Sequence, residues 1–270
     1  MNAQAARSFK DQRNDPEAVD FLIRARALWA RTPKGRDVSE PRNLFRQAAE
    51  RNPSLLGAWI GLAMTYIRDI RFSSNRDEDL VHASRAADRA MTIAPRAAWS
   101  HLVMGWVLYE RKRIQQALAS FEHAAQLNDD LPFAHASIAA ASIMLGRPEQ
   151  GLEPLRKAMR LSPRDPDLAN WQMFLGAAYL HLQRDDEAVH WLTKSVALSP
   201  RDSFTRLFLS SALALTGQQT EAKLELDELL RLKPDFTLSY FKSLELSDNP
   251  TFRLQRERIY QGLRQAGLPH

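Results

Sequence analysis

His101 and His135 are the first residues in this chain that invite a chemical reading, because imidazole is a common metal ligand. They stand at equivalent places in two consecutive segments of a repeating pattern. If those segments are stacked helix pairs, equivalent positions lie about one helix diameter (~10 Å) apart. Metal–nitrogen bonds are near ~2 Å, so one ion cannot bridge them, and the sequence predicts interior or rim histidines instead. His82, His123, His181 and His190 show no metal-ligand spacing among themselves. Asp185, Asp186 and Glu187 form a run of acids at the start of an amphipathic segment, where they complement a helix dipole without any catalytic role. The stretch TPKGRD lacks the glycine spacing of a phosphate loop, and no serine sits in a glycine elbow. The chain has no cysteine, which removes disulfides, thiolate metal sites and cysteine nucleophiles. The expectation is a protein without catalysis, cofactor or metal.

What remains is the scaffold that would position these groups. With 270 residues, 44% of them hydrophobic, the chain can bury a substantial core. The first fifteen residues are polar and lack the apolar centre of a signal peptide, and no window has the length and hydrophobicity of a membrane span. A soluble protein is expected, and the missing cysteines suit a reducing cytoplasm. The net charge of +5 raises the question of nucleic acid, but 37 basic residues against 32 acidic ones is a modest excess. Phosphate binding needs those charges gathered on one face.

A repeat governs the middle of the chain. Pro95, Asp129 and Pro163 follow at intervals of 34, as do Pro200 and Pro234; 163 to 200 is three residues longer, and Pro53 to Pro95 eight longer. Before these turns come small residues at Ala48, Ala90, Ala124, Ala158 and Ser195, with Leu229 as an exception. Larger apolar ones precede them at Phe45, Phe121, Leu155, Leu192 and Leu226. The spacing puts both sets on one helical face, with a small residue where a neighbour approaches closely. In the preceding segment of each unit a second small residue recurs: Ala63, Gly105, Ala139, Gly176 and Ser210. A fixed period in this range is the signature of a helical solenoid.

Trp59–Leu62–Ala63–Tyr66 and Ala117–Phe121–Ala124 resemble the tetratricopeptide (TPR) motif, in register from about residue 43 to 235. The resemblance implies an all-α, right-handed α-solenoid of helix-turn-helix repeats. Residues 1–15 are read as a loose N-terminal segment, 16–53 as a degenerate helix pair, 54–235 as five repeats and 236–270 as a C-terminal cap. Asn249–Pro250 starts the capping helix and Gly267–Leu268–Pro269 stops it, with Phe252, Ile259, Leu263 and Ala266 in one stripe. Arg253, Arg256, Glu257, Arg258 and Arg264 fall on its other faces. The charged insertion from Arg68 to Asp79 is read as a solvated loop. Residues 165–200 and the tail are also similar to the TPR region carried by bacterial class III adenylate or guanylate cyclases and winged-helix regulators. That similarity implies a bacterial regulatory role without an effector domain, since neither a cyclase nor a winged-helix segment occurs.

In the family fold the first helix of each pair lines the concave side. Those segments are nearly uncharged here, whereas the second ones, such as RPEQGLEPLRKAMRL, are amphipathic and charged. Transferring the groove positions gives Trp99, Leu102, Trp106 and Tyr109, then Phe133, Ala140, Ile143 and Met144. Asn170, Met173, Ala177 and Leu180 follow, then Phe204 and Leu207. The expected ligand is another protein, entering as an amphipathic helix or apolar strand. Two other arrangements produce the same stripe: the chain's own terminal segments fill it, or it is simply core. An RNA-binding repeat would need basic residues gathered on these inner helices, which are nearly uncharged. A clamp for a chaperone's terminal carboxylate would need lysine, arginine and asparagine there; only Asn170 qualifies, with Arg68 and Glu110 at the rim.

Overall fold

The computed structural model describes residues 15–32, 37–70, 75–244 and 247–270. The loose segment expected at residues 1–15 lies, apart from Asp15, outside the described residues. Among the described residues the fold is all-α, with fourteen helices. The chain divides into two compact units, Met1–Asn128 and Asp129–His270.

The first unit holds three antiparallel pairs: α1 (Pro16–Arg31) with α2 (Ser39–Arg51), α3 (Leu56–Asp69) with α4 (Arg76–Ile93), and α5 (Ala98–Glu110) with α6 (Ile114–Leu127). Its core runs from Leu22 and Phe45 through Leu62, Ala63 and Ala87 to Val103 and Val107. In α1 the buried residues are Ala18, Leu22 and Ala25. Asp15 caps α1 by accepting from the N–H groups of Glu17 and Ala18, and Pro16 occupies the first turn, where its missing N–H costs nothing. The solvated loop expected over Arg68–Asp79 is helical at both ends: α3 runs to Asp69 and α4 starts at Arg76. Asp77, Glu78 and Asp79 fill the first turn of α4, where negative charge offsets the dipole. Residues 71–74 lie outside the description.

The second unit holds α7 (Pro132–Met144) with α8 (Pro148–Leu161), α9 (Leu168–His181) with α10 (Asp185–Leu198), and α11 (Ser203–Leu215) with α12 (Gln219–Leu232). A short α13 (Leu238–Ser243) and a long α14 (Pro250–Ala266) complete it. Its core joins Leu155, Trp171, Leu175, Leu192 and Leu226 to Phe241, Phe252, Ile259 and Leu263.

Small residues set the pairing distance. A Cβ on Gly105 would stand 2.5 Å from a ring carbon of Phe121, and one on Gly176 would stand 2.5 Å from Cγ of Leu192. Each side chain of the second helix occupies the space that the glycine leaves on the first. The turn within a pair needs one residue in the left-handed region. Gly146 and Gly217 supply it without strain, at φ 72° and 82°, whereas Lys112 and Gln183 adopt it with a side chain, at 61° and 59°.

Candidate partner-binding faces

Several first helices are tied to the turn before them. Trp59 donates its indole N–H to the carbonyl of Pro53 at 3.1 Å, six residues back. His101 Nε2 is 2.7 Å from the carbonyl of Pro95, and His135 Nε2 is 2.8 Å from that of Asp129. Arg206 does the same to Pro200 at 2.9 Å. A carbonyl only accepts, so each imidazole donates through Nε2, and that nitrogen is committed to the turn. The two histidines that invited a metal reading are structural donors. Among the described residues no three His, Cys, Asp or Glu side chains are grouped to hold a metal ion.

In the first unit the inner side is built by α3 and α5, which pack directly on each other as well as on their partners. Of the residues expected to line it, Trp99 and Trp106 are half-buried, while Leu102 and Tyr109 are fully buried. The last two are core, and the ring of Trp106 packs on that core, meeting Tyr109 edge-on at 5.1 Å and Phe121 at 5.3 Å. Ile60 and Met64 occupy on α3 the places that Leu102 and Trp106 hold on α5, and both are half-buried. The register would have found them from the sequence, had the groove positions been carried back one repeat. The polar rim also differs from expectation. Glu110 has a side chain only 1% exposed and accepts from Arg76 at 3.0 Å. Arg68 stacks its guanidinium 3.5 Å over the ring of Trp29 and donates to the carbonyl of Thr32. Both charges serve packing.

In the second unit α14 packs on α9, α11 and α12. Phe252, fully buried, stacks on His181 at 5.2 Å. Ser211 donates its hydroxyl to the carbonyl of Ile259 at 2.9 Å, and a Cβ on Gly262 would stand 2.6 Å from the carbonyl oxygen of Ser211. Ser247 donates to the carbonyl of Met144, and Gln255 approaches both His181 and the carbonyl of Gly146. The open trough expected here is thus occupied by the chain itself. Ala140, Ile143, Met173, Ala177, Leu180 and Leu207 are buried, most of them in the same core as Phe252, Ile259 and Leu263. Only Phe133, Met144, Asn170 and Phe204 keep partial exposure, and Phe133 and Phe204 lean edge-on against Trp171 and Phe236.

The back of α14 is the expected polar surface at Arg253, Glu257 and Arg264, which are exposed, but not at its other two arginines. Arg256 is buried among Phe241, Phe252 and Tyr260, with its guanidinium 4.3 Å from the Phe241 ring. Arg258 grips both carboxylate oxygens of Asp185. Sequence patterning placed these residues off the apolar stripe correctly, but it could not show that a second surface meets them there. Burial and the adjacent Arg256 charge hold the His181 imidazole far below its usual range, at about 3. His181 is therefore a neutral wall residue of the inner face at physiological pH.

No family model matches the chain, and no curated protein matches it. Solved structures do. The APC/C hetero-tetramer Cut9–Hcn1 superposes over 94% of this chain with TM-score 0.68 and 16% identity; the chain spans 44% of that one. A thermophilic TPR protein of Thermus thermophilus, TTC0263, matches 73% of this chain and 98% of its own at TM-score 0.58 and 21% identity. PilF of Pseudomonas aeruginosa matches 85% and 97% at TM-score 0.59 and 17% identity. At such identities the likeness is one of fold: the chain has the all-α architecture of TPR helix pairs.

Proposed function

We propose that this chain is a non-catalytic scaffold that captures a partner polypeptide on the inner side of its first unit, with Ile60, Met64, Trp99 and Trp106 as anchors. One observation carries the reading. These four large apolar side chains are partly exposed on α3 and α5, and no Asp, Glu, Lys or Arg lies between Ala98 and Tyr109. Partly exposed aromatic and thioether groups on a rigid face are what a desolvating partner helix or strand would cover. A TPR-like architecture supports the same reading, since stacked helix pairs offer extended inner surfaces for binding. In the regulatory setting implied by the similarity to cyclase-linked repeats, the captured segment belongs to a separate effector.

The test is affinity capture from the native lysate with wild type, Trp99→Ala and Ile60→Ala. A specific polypeptide retained by wild type and lost by both variants, with helical circular dichroism unchanged, is the expected result. Equal capture by all three, or loss of helicity in both variants, sinks the proposal.

A further inference from the structure

Helix α1 buries one side in the first unit and carries an apolar strip on the other. Ala18, Leu22 and Ala25 are buried, whereas Pro16, Val19, Ile23, Ala27 and Ala30 are exposed, Val19 by 40% and Ile23 by 61%. Spacings of three and four residues keep the exposed five on one helical face. We propose that this strip is a self-association surface, on which two copies of the chain pair their α1 helices antiparallel about a two-fold axis at Ile23. The pairing uses none of the four anchors proposed for partner capture and stands apart from it.

The register of the repeat shows what kind of surface this is. Ala25 of α1 holds the place of Ala63 on α3 and of Gly105 on α5, and all three are buried. In that register Asp20, Ile23 and Ala27 correspond to Ala58, Gly61 and Thr65, and to Ser100, Val103 and Val107. Apart from Gly61, each counterpart is at most 2% exposed. The second helix of the preceding pair covers them. A Cβ on Gly61 would stand 2.2 Å from the Phe45 ring of α2, and Ser100 donates to the carbonyl of Ala90 on α4 at 3.1 Å. The face that α3 and α5 use to stack on a neighbouring helix is the face that α1 presents to solvent.

The charges and sizes along the strip select a second copy as the helix that covers it. Asp20 and Arg24 lie on one flank, as an exposed pair 3.5 Å apart. Parallel pairing would set like charges together, whereas antiparallel pairing about Ile23 brings Asp20 of each copy beside Arg24 of the other. The same operation sets Val19 against Ala27 and Pro16 against Ala30 of the second copy, larger against smaller, so that the axes can approach to about 8 Å. Arg26, on the other flank, is directed onto α3, where a Cβ on Gly57 would stand 2.6 Å from its Nη2. It meets no like charge across the pairing. A partner of another kind would have to supply a base opposite Asp20, an acid opposite Arg24 and alanine opposite Val19; α1 supplies all three itself. Two 16-residue helices, each about 24 Å long, make a small interface, so the dimer is of the weak, concentration-dependent class.

The experiment is sedimentation equilibrium of the full chain over a wide concentration range, at low ionic strength where exposed charges are least screened. Wild type should show a monomer–dimer equilibrium, and Ile23→Glu should be monomeric throughout. Asp20→Arg and Arg24→Asp should each weaken dimerisation by about tenfold, because both symmetric contacts become repulsive. An equimolar mixture of those two variants should regain the wild-type affinity, since each contact across the mixed pair again joins opposite charges. All three substitutions fall on exposed side chains, so helical circular dichroism should not change. Wild type that stays monomeric, a dimer that survives Ile23→Glu, or a mixture that associates no better than its components overturns the proposal. A face reserved for a different protein, or filled by residues 1–14, gives the first of these outcomes.

Discussion

The imidazole of His135 stands 2.8 Å from the carbonyl oxygen of Asp129, six residues earlier, where a carbonyl can only accept. Trp59 spans the same gap to Pro53 with an indole, and Arg206 to Pro200 with a guanidinium. Three chemically different side chains thus supply the same thing, an N–H that fixes the turn against the first coil of the next helix. His135→Leu keeps apolar volume and removes the donor. It should cost about 1 kcal/mol of unfolding free energy, the usual net value of one such bond. His135→Trp should recover much of that loss. Urea denaturation followed by circular dichroism measures both, and equal stability of the leucine variant and wild type would show that the bond contributes nothing.

The repeat that follows Pro163 departs from this rule. Gln172 holds the corresponding position in α9, is buried, and its Oε1 has no hydrogen-bond partner. The three residues added between Pro163 and Pro200 move the turn out of reach of this side chain. A buried, unsatisfied carbonyl costs about 1–3 kcal/mol, so Gln172→Met, of similar length and without the amide, should stabilise the protein by about 1 kcal/mol. A lower urea midpoint for Gln172→Met would contradict that account.

Lys112 and Gln183 hold the left-handed position that Gly146 and Gly217 hold in their own repeats. A side chain there costs roughly 1 kcal/mol, partly offset because glycine loses more entropy on folding. Lys112→Gly and Gln183→Gly should therefore each raise stability by about 0.5 kcal/mol, and Gly217→Ala should lower it. Gly217 is the clean control, since nothing lies within 4 Å of its missing Cβ and only the backbone is tested. Thermal melts of the three variants decide it, and an Ala variant as stable as wild type would refute the strain.

The repeat, its helices and their small contact residues were legible in the sequence because each is written several times in register. Gly105 against Phe121 and Gly176 against Leu192 are the same packing rule twice. The fate of the inner side was not legible. Met173 and Leu180 are apolar whether a guest or α14 covers them, and no periodicity says which distant element folds back over them. Arg256 was hidden for a related reason: a charged residue off the apolar stripe reads as solvated, and only coordinates show the rings of Phe241, Phe252 and Tyr260 around it. The half-buried Ile60 and Met64 of α3 escaped notice for want of extending a pattern already in hand.

His181 supplies a pH test of the seat of α14. Its ring is stacked on Phe252 and faces Gln255, with Arg256 close enough to oppose protonation and Arg258–Asp185 the ion pair that α14 makes with the start of α10. In the folded protein the group titrates at about 3; in the unfolded chain it titrates near the ordinary value of 6.5. Between those values the unfolded state binds a proton that the folded state refuses. Stability is therefore unaffected by this group above pH 6.5 and falls as pH drops through the window, by up to about 1.4 kcal/mol per pH unit. His181→Phe keeps an aromatic ring against Phe252 and removes the titration. The difference in unfolding free energy between wild type and His181→Phe should therefore move steadily in favour of the variant from about pH 6.5 to about pH 4.5, and stay constant from about pH 7 to about pH 8. Carboxylates elsewhere titrate in both proteins and largely cancel in the difference. A difference that does not change with pH would mean that the imidazole is hydrated in the folded state, and that α14 does not seal the face it covers.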